Sequence, residues 1–393
     1  MTLYRRPRVW KKRLALAATA VLIPYVAIIL YFSHFMVSPP RMRVSESSRP
    51  VLGVFMEVDR DREGEPGVPI LRTVDPARVA GLQSGDVILR VNDLPVYSNA
   101  DVADVVRAGL EGDLVRVEAR RVGEDGETAI LLDVPLAFRP VSPADHGLLY
   151  QDVAFTDPLG RTLRGWYVPP PAGSGSSAPG VVYGHGNGGD RRHWLAVARE
   201  VHHAGVAQLF FDFAGRGESE GKTISLGDRE SGAMIAGLEF LASLNEVSST
   251  RIGLAGRSMG GAAAAIAAGR DPRVRALVLD SPFTDLTREV DHALAGYYLP
   301  PVLFRAPILA VAAMRGRFEP SEVVPVASLD TYHGPVLLYH GRDDEAVPMT
   351  HALEFKERVG DRLELHLLDD TGHNGRRPAP YALRIGEFLK ENL

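Results

Sequence analysis

A serine, an aspartate and a histidine stand in this chain in an order that suits attack on a carbonyl carbon. Ser258 lies in Gly256-Arg257-Ser258-Met259-Gly260, a G-x-S-x-G pattern. A serine hydroxyl is a weak nucleophile until a base takes its proton, and the base needs an orienting acid. His373, in DDTGHN (369–374), is the candidate base. Asp344, in YHGRDDEAVP (339–348), is the candidate acid, with Asp343 beside it and Asp280 at another strand end as rivals. The chain order serine, aspartate, histidine is the one a nucleophile elbow on a parallel sheet requires. An oxyanion formed at Ser258 needs amide donors. Met259 supplies one, and Asn187 in HGNGG (185–189) is the expected second.

These residues need elements to hold them. RIGLAG (251–256) reads as a strand and MGGAAAAIAAG (259–269) as a helix, so Ser258 sits in a strand–turn–helix context. Strands are expected at GVVYGHG (180–186), VAQLFFDF (206–213), RALVLD (275–280), PVLLYHG (335–341) and LELHLLD (363–369), after a hairpin at 152–169. Helices are expected at 193–205, 231–244 and 381–393. The alternation predicts an α/β fold with a mostly parallel sheet covered on both faces.

HGNGG (185–189), FDFAGRGESEG (211–221), GRSMGG (256–261), HGRDDEAVP (340–348) and GHN (372–374), taken in order, resemble the α/β-hydrolase superfamily over about 147–393. The serine-aminopeptidase-like branch, with its thioesterase and lipase relatives, is the closest in pattern. The resemblance implies that the spacing H-G-x-x-D-x-x-V-P selects Asp344 as the acid. It implies that Asp212, Gly215, Gly217 and Ser219 shape a loop near the site rather than perform chemistry. It also implies a small helical cap at about 284–333, whose apolar composition points to an acyl or side-chain pocket. His185 and His340, each in an H-G pair at a strand end, read as structural. No cofactor is called for, and no cluster of histidines and carboxylates suggests a metal.

The first 140 residues differ in texture. Residues 1–13 carry six basic residues and no acid, and Leu14 to Phe32 carries no charge. At helical rise this run spans roughly 28 Å, the thickness of a bilayer core. No A-x-A-like cleavage site follows it. A transmembrane helix is expected over 14–37 behind a basic cytoplasmic tail, with later domains outside the cytoplasm by charge bias. Residues 38–50 read as a linker. Over 51–140, strands are expected at 51–58, 67–74 and 86–92. Helices are expected at 75–82, with Asp75 as N-cap, and at 99–109, closed by Gly109, before a hairpin at 113–137. LGV (52–54), VDPARVAGLQSGDVILRVNDLPV (74–96) and NADVADVV (99–106) resemble a PDZ domain of the kind attached to bacterial HtrA-type proteases. The resemblance implies that Val51, Leu52 and Gly53 form a loop for a peptide carboxylate, with the peptide added to a sheet edge.

Composition narrows the rest. The chain has 393 residues, no cysteine and a formal net charge of -5. This removes thiol chemistry and gives no general affinity for nucleic acid. The partners expected are the lipid bilayer and a polypeptide ligand of the PDZ domain. Three functions stay open: a membrane-anchored serine hydrolase acting on an ester, thioester or amide; a peptidase acting on peptides delivered by the PDZ domain; and a non-catalytic membrane scaffold.

Overall fold

A computed structural model describes residues 8–39, 41, 49–56, 67–73, 76–107, 113–123, 126–139, 141–175, 177–375, 377–378 and 380–393. The chain divides into two compact units, Ser45–Asp145, and Met1–Val44 together with His146–Leu393.

In the smaller unit an antiparallel path runs through Val54–Met56, Val68–Thr73, Val87–Val91, Leu114–Gly123 and Gly126–Pro135. Alternation along Leu114–Gly123 sends Val115, Val117 and Ala119 inward, where they meet Ile70, Leu82, Ile88 and Val91. The strand expected over 51–58 is instead two short pieces, Arg49–Val51 and Val54–Met56. Gly53, at φ 85°, breaks the extended run between them. The first helix is shorter than expected, Ala77–Ala80, with Pro76 as its N-cap and Gly81 closing it at φ 105°. The second covers Asn99–Arg107. Asp75 and Gly109, expected to bound these helices, lie outside the described residues.

Elements of the larger unit are numbered here in chain order. Its sheet contains β1 (Gln151–Thr156), β2 (Thr162–Val168), β3 (Ala178–Gly184), β4 (Ala207–Phe211), β5 (Val247–Arg257), β6 (Val274–Asp280), β7 (Val336–Gly341) and β8 (Leu363–Leu368). The strand order is β8-β7-β6-β5-β3-β4-β2-β1. β1 and β2 form an antiparallel hairpin, and β2 joins β4 antiparallel; every pairing from β4 through β8 is parallel. Parallel strands covered on both faces should be apolar throughout, and every residue of β4 is buried.

The longer helices of this unit are α1 (Arg8–Val37), α2 (Ala198–His203), α3 (Asp228–Ala242), α4 (Met259–Arg270), α5 (Leu286–Gly296), α6 (Pro301–Gly316), α7 (Thr350–Val359) and α8 (Pro380–Asn392), with a single helical turn at Pro325–Ser328. α3 and α4 pack into one core layer and α2 and α8 into the other. α4 is buried from Met259 to Ala268. Its glycines and alanines allow it to lie deep between sheet and neighbours. α5 and α6 fall within the stretch read as a cap. The start of the stretch read as a linker, with the end of α1, is tied down. Ile224 donates its amide to Val37 O at 2.9 Å, Arg216 Nη1 reaches Pro39 O at 3.1 Å, and Arg41 Nη2 reaches Gly221 O at 3.3 Å. Residues 42–48 lie outside the described residues.

Candidate active site

The site forms where β5 turns into α4. Ser258 occupies that turn at φ 53° and ψ −122°, a conformation a side-chain-bearing residue rarely adopts. Its amide donates to Asp280 O at 2.8 Å, and its carbonyl accepts from Ala262 at 3.0 Å. The flanking glycines are there for space. A Cβ on Gly256 would fall 2.1 Å from Gly260 O, and one on Gly260 would fall 2.3 Å from Gly184 O. The turn therefore lifts the hydroxyl above the sheet edge while its neighbours crowd together.

His373 Nε2 lies 3.0 Å from Ser258 Oγ, and His373 Nδ1 lies 2.7 Å from Asp344 Oδ2. Asp344 is buried, and its other oxygen accepts the amides of Ala346 at 3.1 Å and Val347 at 2.8 Å. Burial alone would raise its pKa. The hydrogen bond and charge of His373, the Val347 amide and His340 outweigh that and hold it below the usual carboxylate range. The three residues read from the sequence are thus brought together from the β5–α4 turn, the loop after β7 and the loop after β8. His340, read as structural, is buried and donates Nε2 to Val347 O at 2.8 Å, which ties back the loop carrying Asp344.

Asp280, the rival acid, does not reach His373. It is fully buried and carries Arg377, Ser281 and Tyr381 as hydrogen-bond donors, the last at 2.9 Å. Burial pushes its pKa up, but Arg257 and Arg377 more than reverse this. The two arginines in turn hold the histidine loop. Arg257 Nη2 donates to His373 O at 2.6 Å, and Arg377 Nη1 to Gly375 O at 3.1 Å. Sequence reasoning did not single out either arginine, although Arg257 is the residue just before the serine.

Met259 is the first residue of α4, where a backbone N–H has no intrahelical acceptor and the helix dipole is positive. The 185–189 loop approaches from the other side: a Cβ on Gly186 would lie 3.4 Å from Ser258 Cβ. Asn187 on this loop is held by Arg216. The guanidinium donates to its backbone carbonyl and, at 2.9 Å, to its Oδ1. Arg216 is nearly fully buried, and desolvation lowers its pKa to about 10. It projects from the loop whose shape Asp212 sets. Asp212 accepts the amides of Arg191 at 2.8 Å and Glu218 at 2.9 Å, and a Cβ on Gly217 would collide with its carboxylate. His193 completes the support by accepting the Gly186 amide at 3.2 Å; burial first, then Arg257, push its pKa down to about 3, so it stays neutral. His185 accepts the Phe213 amide at 3.0 Å through Nε2, a structural contact.

α5 borders the acid loop. His292 Nε2 donates to Glu345 O at 2.7 Å. Glu289 Oε2 lies 3.6 Å from His351 Nε2. Burial, and then Asp344, push the Glu289 carboxyl up to about 8, while burial pushes His351 down to about 4. At neutral pH this pair is therefore two neutral groups rather than an ion pair. In the smaller unit, the Leu52 side chain is buried in the core, and the Val51 side chain lies outside the described residues.

Comparison with known proteins identifies relatives of both domains. The model of the prolyl oligopeptidase family matches residues 219–392, and that of the PDZ domain matches residues 50–132. The uncharacterized protein Rv2307c of Mycobacterium tuberculosis is 32% identical over 225 residues, 57% of this chain and 72% of that one. The α/β-hydrolase domain-containing protein WAV2 of Arabidopsis thaliana is 28% identical over 220 residues, 54% of this chain and 67% of that one. Among solved structures, the Pyrococcus furiosus esterase Pf2001 superposes with a TM-score of 0.53 at 28% identity, covering 64% of this chain and 94% of that one. A 2,6-dihydroxy-pseudo-oxynicotine hydrolase, at TM-score 0.50 and 21% identity over 63% of this chain and 69% of its own, shares the fold. The chain belongs to the α/β-hydrolase superfamily of serine hydrolases and carries a PDZ domain ahead of its hydrolase domain.

Proposed function

We propose that this protein is a membrane-anchored hydrolase that cleaves an ester or thioester through an acyl-enzyme on Ser258. The observation that supports it most directly is the continuous relay from Ser258 Oγ through His373 to Asp344 at 3.0 and 2.7 Å. His373 takes the hydroxyl proton as Ser258 Oγ bonds to the carbonyl carbon. The amides of Met259 and Asn187 receive the oxyanion. His373 then passes the proton to the departing alcohol or thiol, leaving an acyl-serine. Water, deprotonated by the same imidazole, attacks that acyl group; the acid departs and the serine regains its proton. Asp344 holds the imidazole tautomer and stabilises the imidazolium. α1 is the membrane anchor in this reading: Thr19–Val37 is long and apolar enough to cross a bilayer, and little of it is covered by protein.

A peptidase reading has separate support. The matched family is named for an oligopeptidase, and a PDZ domain could hold a polypeptide by its C-terminus. Ester, thioester and peptide substrates offered to the same preparation separate the two.

The first test is fluorophosphonate labelling of the full chain in detergent, beside Ser258→Ala and His373→Ala. Labelling of the wild type that vanishes in both variants is expected, with turnover falling on the order of a thousandfold or more. A folded wild type that does not label would favour the scaffold reading.

A further inference from the structure

The turn joining α5 to α6 exposes an apolar surface. From Ala293 to Phe304 the chain reads ALAGYYLPPVLF, twelve residues without a charge. Tyr298 is 96% exposed and Val302 87%, and Tyr297 and Leu303 are also exposed. Along α6 the exposed positions 302, 306, 310 and 314 are valine, alanine, alanine and methionine, one stripe at helical spacing. Arg305, the nearest charge, is paired with Asp291 at 2.6 Å.

α1 lies beside this surface and extends it. Tyr25 donates its hydroxyl to Leu303 O at 2.8 Å and sets its ring 5.2 Å from that of Phe304. Phe32 meets Tyr297 edge-on at 5.0 Å, and Arg315 Nη2 donates to His34 Nδ1 at 2.9 Å. The two helices thus run side by side in the same direction. On α1, Val21, Leu22, Ile23, Tyr31 and Phe35 remain exposed. Soluble proteins seldom expose contiguous apolar surface on this scale. The length of α1 points to what covers it, since its nineteen-residue span Thr19–Val37, uncharged and mostly apolar, matches a bilayer core. Polarity agrees: Arg315 and Arg317 are exposed at the end of α6, and Arg41 follows the same end of α1, where lipid headgroups would lie.

We propose that the cap tip, residues 293–304, lies in the same bilayer leaflet as the second half of α1, and that the acyl group brought to Ser258 belongs to a membrane-resident ester or thioester. The substrate half of this rests on the serine-hydrolase reading above. α5 joins the two regions. Its far end is the tip, and His292 along it holds the loop of the catalytic acid. Ester carbonyls of lipids sit just beneath the headgroups, so a site one short helix away from an embedded tip is placed to receive them.

The chain has no cysteine, so single-site labelling is direct. Tyr298→Cys and, as a remote control, Glu357→Cys carry an environment-sensitive fluorophore in the full chain. The chain is reconstituted in vesicles of phosphatidylcholine with a minor fraction of phosphatidylglycerol. Blue-shifted emission at 298, quenched by nitroxide-labelled lipid, with neither effect at 357, is the expected result. Equal reactivity of both cysteines toward a membrane-impermeant maleimide would overturn the proposal. So would shielding at 298 without nitroxide quenching but with crosslinking between two copies, which would make this face a dimer contact. In parallel, Tyr298→Asp with Val302→Glu should leave hydrolysis of a soluble short-chain ester unchanged and lower that of a vesicle-embedded long-chain ester roughly tenfold or more. An equal loss on both esters, or no loss on either, would count against membrane access. Bilayer signals at 298 in the Tyr298→Cys chain, together with a wild type that never reacts with fluorophosphonate, would sink the hydrolase reading while leaving the embedded tip standing.

Discussion

Arg216 shows how a buried charge can serve a site it does not enter. Its guanidinium spans Asn187 and Pro39 O, so it links the proposed oxyanion loop to the segment following α1. Replacing it by methionine removes the grip on Asn187. The kcat for a soluble ester should fall roughly ten- to a hundredfold with KM changed less than about threefold, and lysine, lacking the planar fork, should recover only part. Glu289 makes a second prediction. Its carboxyl is held up at about 8 by burial and by Asp344, against about 4.3 in an unfolded chain. Between those values the folded state binds a proton that the unfolded state has released, so stability falls as pH rises through this window. Glu289→Gln should remove that slope: thermal melting should be little changed near pH 5 and higher than wild type near pH 9. Melting curves that stay parallel across pH would contradict the assignment.

Elements determine which substitutions the elbow tolerates. α4 can approach β3 only because Gly260 lacks a side chain. Gly260→Ala would drive a Cβ against the backbone oxygen of Gly184, which cannot rotate away. A loss of at least about 3 kcal/mol in urea unfolding, or failure to fold, is expected. Gly188→Ala on the neighbouring loop, where nothing lies within 4 Å of the new Cβ, should unfold within about 0.5 kcal/mol of wild type. The same loops explain why the supporting arginines escaped notice. Arg257 and Arg377 are 120 positions apart in sequence and meet at Asp280 and at the His373 carbonyl, so no local pattern announces them.

At the scale of the whole chain, α1 belongs to the hydrolase unit although the PDZ sequence separates them. Val37, Pro39 and Arg41 are each hydrogen-bonded to the 216–224 loop. The proposed topology, with a cytoplasmic N-terminus, rests on the six basic residues that precede the apolar run. Alkaline phosphatase fused after residue 45 should be active in cells if that orientation holds, and inactive if it is reversed.

Periodicity and turn chemistry, being local, were enough to read the parallel sheet, the apolar N-terminal run and Ser258 in its turn, while the PDZ pattern and the choice of Asp344 over its rivals came from resemblance to known families. Ser258 announces itself because a tight strand–helix turn demands glycine on both sides of it. Asp344 and His373 each follow a strand by a few residues, so their motifs carry the positional information. What only the tertiary structure decided depends on contacts distant in sequence. Asp280 became the hub of the arginines rather than the acid, Arg216 became the grip on Asn187, and α1 settled against α6. Burial and partner geometry decide such roles, and neither is a property of a short stretch of chain.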